Sequence, residues 1–156
     1  RLPVQHKLEA GVMFWTLPSL WAFVALLAVH WLGDFFAQSH WMSVNKSKRL
    51  DALALHVGVY TVILLGGTGW IFGFRPDFLI LQFAAINGVL HFITDYVTSR
   101  WSSHLWSKAF PWNGHVPTVA YPPKDKPIHN FFVVIGIDQF IHPITLAATR
   151  WWLLVP

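Results

Sequence analysis

The chain has 156 residues, of which 54% are hydrophobic and only 12% charged, and its mean hydropathy is +0.46. Soluble domains carry about 25% charged residues, so the composition argues against a water-soluble enzyme and for one integral membrane domain spanning residues 1–156. The net charge of +4 comes without any nucleic-acid motif, which leaves membrane lipids as the partner, and the lack of cysteine excludes disulfides, thiolate metal ligands and a cysteine nucleophile.

The chain begins at Arg1, so an N-terminal piece is expected to be missing or processed. Residues 1–17 lack the apolar run and cleavage site of a secretory signal. Phe14 and Trp15 are expected at the membrane interface. Four apolar stretches then have the roughly 20 residues that a bilayer requires of a helix. They run over about 18–38, 51–72, 77–99 and 129–151. In lipid they should be helical, because a lone strand leaves its backbone groups unpaired. The expected fold is an all-α, four-helix transmembrane bundle.

The connections differ in character. Residues 39–50 are short and basic, and 73–76 form a tight turn at Arg75-Pro76. The loop 100–128 has two parts. Trp101, Leu105 and Ala109 share a helical face, which predicts a helix lying in the interface. The second part is too rich in proline for regular structure. Lys46, Lys48 and Arg49 fall in the first loop, and Arg100, Lys108, Lys124 and Lys126 in the third. The positive-inside rule therefore places those loops in the cytoplasm and both termini outside, in a bacterial inner membrane.

The most informative pattern is polar. His30 and Asp34, His91 and Asp95, and Asp138 and His142 are each four residues apart on an apolar segment. Residues i and i+4 share a helix face, so each pair forms a stripe, joined by Gln38 on span one, Asn87 on span three, and by His56 with Tyr60 on span two. At 1.5 Å rise per residue all four stripes fall within roughly one to two turns of a common level near the cytoplasmic side. The segments around His30 and His91 also resemble each other, as expected of parallel repeats.

One His-x-x-x-Asp pair is most often a local hydrogen bond. Three pairs with His56 at a matching level are better explained by one shared centre. An aspartate at a helix centre costs about 2.5–3.5 kcal/mol, so three cost about 8–10 kcal/mol uncompensated. A divalent cation offsets this better than His–Asp pairing, since it neutralises two carboxylates and takes neutral imidazoles as ligands. The expected metal set is His30, Asp34, His56, His91, Asp95, Asp138 and His142, with zinc, iron or manganese as the ion. One metal or two would fit. His6, His40, His104 and His129 are expected at interfaces, and His115 in a loop able to fold over the site. Gln38, Asn45 and Gln139 are either supporting groups of the site or polar contacts between helices.

The stretches HWLGDFFAQSHWMSVNKS, LALHVGVYT, HFITDYV and DQFIHPITL resemble an uncharacterised bacterial membrane family, domain-of-unknown-function family 3307. The resemblance implies a membrane location and fold, and no activity. From the residues themselves, the leading expectation is a metal-dependent membrane hydrolase. A water activated by the cation would be the nucleophile, Asp34 or Asp95 the general base, and an amphiphilic lipid-like ester the substrate. No HExxH motif and no Glu-x-x-His helix pair occurs. The alternatives are an accessory subunit of a larger membrane complex, binding haem or a chlorophyll-type pigment through its histidines, and an ion or proton pathway.

The absence of cysteine makes the topology directly testable. In right-side-out membrane vesicles an impermeant maleimide should label Arg75→Cys and leave Ser47→Cys untouched; the reverse pattern would invert the assignment.

Overall fold

The computed structural model describes residues 17–73, 78–110 and 128–154. Every regular element among them is helical. Helix α1 spans Leu17–Trp31 and continues as a π-helical turn, Leu32–Phe36. A short α2 follows at His40–Asn45, then α3 at Leu50–Phe72, α4 at Phe78–Ala109 and α5 at His129–Leu153. The turn at Arg75-Pro76, the proline-rich part of the third loop with His115, and Phe14, Trp15 and His6 lie outside the described residues.

Helices α3, α4 and α5, with 23, 32 and 25 residues, are long and apolar enough to cross a membrane. The apolar stretch Leu20–Phe36 is shorter. Large apolar side chains such as Val62, Val89, Ile93 and Phe140 are exposed along the helices, as lipid-facing surfaces require. The exposed tryptophans gather at the helix ends: Trp21, Trp70, Trp151 and Trp152 at one end, and Trp31, Trp41, Trp101 and Trp106 at the other. That distribution is expected where indole rings sit at headgroup level.

Three sequence expectations need correction. The stretch beyond residue 99 is not a separate interfacial helix, because α4 runs unbroken from Phe78 to Ala109. A helix of 32 residues is about 48 Å long, against a hydrocarbon core of about 30 Å, so its last turns extend past the apolar layer. The polar residues there mark a change of surroundings; nothing in them ends a helix. The first helix also departs from α geometry before residue 38. Ala37 N–H donates to the carbonyl of Leu32 at 2.9 Å, a five-residue step. Finally, the first loop contains helix α2, whose Met42 N–H is capped by the Ser39 hydroxyl.

Neighbouring helices pack in chain order, α1 on α3, α3 on α4 and α4 on α5, with only slight contact closing the ring between α5 and α1. Small residues set the approach. A Cβ on Gly67 would lie 2.5 Å from both methyl groups of Val29, one on Gly33 would lie 3.0 Å from the Tyr60 ring, and one on Gly88 would collide with the Thr61 hydroxyl. The Gly66-Gly67 pair therefore does not end the second span; it lets α1 and α3 touch. Helix α3 ends at Gly73, where φ is +85°. Threonine hydroxyls within the apolar helices donate to carbonyls one turn back, as Thr61 does to Val57 at 2.7 Å and Thr68 to Leu64 at 2.6 Å. Leu26, Leu64, Phe83 and Leu146 form a fully buried apolar core with Tyr60.

Gly67→Ala should destabilise the fold by about 1–3 kcal/mol, because Val29 has no rotamer that clears both methyls. Gly66→Ala, with open space at its Cβ, should be neutral or stabilising by up to about 1 kcal/mol. Thermal unfolding in detergent checks the pair; equal effects would contradict the packing.

Candidate metal centre

Just beyond that core, toward the end that carries Lys46, the polar stripes meet. His30, Asp34, His56, His91, Asp95 and His142 are all buried. Each helix delivers its share through the spacing seen in the sequence. The π turn and Gly33 bring Asp34 inward from α1, where it is 4% exposed. π turns are frequent at functional sites. His56 comes from the second turn of α3, His91 and Asp95 from the middle of α4, and Asp138 and His142 from α5. Pro143 follows His142 directly, so the helix loses one ladder hydrogen bond beside the site.

Four groups converge most closely. His56 Nε2 lies 3.2 Å from His91 Nε2, 3.2 Å from Asp34 Oδ1 and 3.3 Å from Asp95 Oδ2. His91 Nε2 lies 3.4 Å from Asp34 Oδ1 and 3.7 Å from Asp95 Oδ2. Neutral imidazoles have one N–H each, so these two nitrogens cannot satisfy each other and two carboxylates at once. Asp34, His56, His91 and Asp95 thus form a group able to hold a metal ion, and Asp34, Asp138 and His142 form a second. His30 stands at the edge of the cluster. Its Nε2 is 3.9 Å from Asp34 Oδ2, and its Nδ1 is 3.2 Å from the Tyr60 hydroxyl. Among the expected ligands it is the one that joins neither group.

The surrounding contacts hold the ligands in place. Tyr60 stacks on His91 with ring centroids 4.0 Å apart, and His91 on His142 at 4.2 Å. The Gln38 amide lies 3.2 Å from His56 Nδ1. Thr98 donates to Asp138 Oδ1, and Gln139 Nε2 donates to Asp138 Oδ2 at 3.0 Å. Gln38 and Gln139 thus support the site, whereas Asn45 only donates to the carbonyl of Trp41. Asn87 sits one turn from His91 and donates to Thr149 at 2.8 Å, joining α4 to α5. His40, His104 and His129 are exposed and take no part.

Sequence reasoning missed two partners. Thr98 lies three residues after Asp95 and shares its helix face, so spacing would have found it. Lys46 was counted as a loop charge, yet its Nζ donates to Asp95 Oδ2 at 2.8 Å. Its side chain is 19% exposed and that of Asp95 2%. Only the capped fold of α2 brings the lysine back to the helices. Beside these groups a cavity of about 200 Å³ opens between the π turn and α5, lined by Asp34, Lys46, Asp95, Thr98, Ser99 and Asp138 among others.

A double-mutant cycle with Lys46→Ala and Asp95→Asn in metal-stripped protein should give a coupling of about 1–3 kcal/mol, since a largely buried carboxylate loses its cation. Arg49→Ala, which removes an exposed partner of Asp51, should leave stability unchanged. No coupling at Lys46 would contradict the buried ion pair.

No curated protein and no solved structure matches this chain. One family profile does, over residues 22–155, and that span contains every residue of the cluster. The family is described as a protein of unknown function, DUF3307. With most of its length matched, from the first apolar helix to the last, the chain belongs to the DUF3307 family.

Proposed function

We propose that this chain is a four-helix membrane protein, α1 with its π turn serving as the fourth span, that holds a divalent metal ion among its helices near the cytoplasmic face and uses it to hydrolyse an amphiphilic substrate. The observation that carries the reading is the spacing of His56, His91, Asp34 and Asp95. Ligands at tetrahedral metal distances of about 2.0–2.1 Å stand about 3.3–3.4 Å apart. The five separations quoted above run from 3.2 to 3.7 Å. His and Asp donors suit zinc, iron or manganese.

The cavity supports a reaction with a substrate that enters from one side. Its walls carry the hydroxyls of Thr98, Ser99 and Ser102, while Phe35 and Ile135 supply an apolar edge. A polar head reaches the metal and an acyl chain stays in lipid. A cation held by His56, His91, Asp34 and Asp95 would lower the pKa of a water and polarise the ester. The water oxygen bonds to the acyl or phosphoryl centre as the ester bond breaks. Its proton passes through Asp34 or Asp95 to the leaving oxygen. Beyond the site, Leu26, Leu64, Phe83 and Leu146 pack into a buried apolar cluster with Tyr60, with Thr68, Asn87, Thr149 and Arg150 buried on the same side. Tyr60, His91 and His142 stack directly on one another, an arrangement that suits a compact metal site better than a haem or chlorophyll-type ring held between histidines.

The full chain purified in mild detergent should carry at least one tightly bound divalent cation. It should release fatty acid or headgroup from extracted membrane lipids. Chelation, Asp34→Asn or His56→Ala should lower that release at least about 100-fold, with metal restoring the chelated wild type alone. A metal-free preparation, or hydrolysis indifferent to chelation and to both substitutions, would refute the proposal.

A further inference from the structure

The two central carboxylates each divide their oxygens between different histidines. Asp34 turns Oδ1 to His56 and His91, at 3.2 and 3.4 Å, and Oδ2 toward His30 at 3.9 Å. Asp95 turns Oδ2 to His56 and His91, at 3.3 and 3.7 Å, and Oδ1 toward His142 at 3.5 Å. A single cation uses only one side of this arrangement. On the other side, His142 Nε2 and His30 Nε2 have no hydrogen-bond partner, although the residues are 1% and 5% exposed. An unsatisfied buried polar atom is costly, and native structures rarely keep one without a ligand. Asp138 Oδ1 is 3.6 Å from the same His142 nitrogen. These separations are too long for a good hydrogen bond and suit atoms that share a metal.

We infer that the centre is binuclear. The first divalent cation lies among His56 Nε2, His91 Nε2, Asp34 Oδ1 and Asp95 Oδ2. The second lies among His142 Nε2, Asp138 Oδ1 and the remaining oxygens of Asp34 and Asp95, with His30 at its margin. Asp34 and Asp95 bridge the pair, the arrangement expected when two metals sit about 3.5–4 Å apart; with both positions filled neither keeps an oxygen free to act as base, and the nucleophile is a hydroxide held by the pair. The charges agree. Three carboxylates and one hydroxide balance two divalent cations once Lys46 withdraws from Asp95. Lys46 is placed to do so, since its partly exposed side chain reaches the site from the rim of the cavity.

This inference rests on the proposed metal centre, and metal stoichiometry separates the two. Full-length protein is stripped, loaded with manganese(II), washed, and assayed by elemental analysis and electron paramagnetic resonance. Wild type should hold two ions per chain with an exchange-coupled spectrum. His142→Ala should hold one, with the uncoupled six-line signal. Asp138→Asn, which changes no shape and so guards against misfolding of the alanine variant, should do the same. One ion in wild type, unchanged in both variants, overturns the second position while leaving the first; two ions retained in both variants overturn it as well. No ion at all removes the metal centre and this inference with it.

Discussion

Two carboxylates buried at one level of an apolar helical protein, with a third half-buried beside them, are the constraint on which the rest of the structure depends. Asp34 and Asp95 are almost wholly shielded from solvent, which weakens the solvation of their charge. Such groups persist only if other parts of the protein supply positive charge and donors at the same point. The placement of the helices answers that demand. Gly33 and Gly67 allow α1 close to α3, which brings Asp34 to His56. Asn87 and Thr149 tie α4 to α5, which sets Asp95 beside His142. Lys46 arrives from outside the long helices to complete the neutralisation.

The same constraint explains where the structure departs from regularity. The π turn, the helix-interior proline and the cavity-lining Lys46 all occur within about one turn of the cluster. Away from it Leu26, Leu64, Phe83 and Leu146 pack together, with Thr68, Asn87, Thr149 and Arg150 buried among the same helices. The cavity opens beside the cluster, lined by Lys46 together with Asp34, Asp95 and Asp138.

Much of this was legible in the sequence, for identifiable reasons. Lipid leaves a backbone few choices, so apolar length located α3 and α5 almost to the residue. The i to i+4 spacing fixed the faces of His30, His91 and His142, and helical rise fixed their depth; together these predict convergence before any coordinates. What escaped depends on tertiary packing. The turn at Leu32–Phe36 carries Gly33, which sits close against Tyr60, a contact between helices that no local pattern encodes. Lys46 reads as an ordinary cytoplasmic charge until the fold of α2 is known. His30 has the spacing of a ligand, but its Nδ1 is engaged by the Tyr60 hydroxyl, and it stays at the margin. The length of α4 was missed because polar residues past Ser99 signal a new environment without stopping a helix.

The most direct test is anomalous diffraction from crystals of the purified chain, collected above and below the absorption edge of whichever metal it carries. The account predicts a peak within coordination distance of the His56 and His91 Nε2 atoms and of the Asp34 and Asp95 carboxylates. A map with no anomalous signal there, and with these side chains joined only by hydrogen bonds, would contradict it.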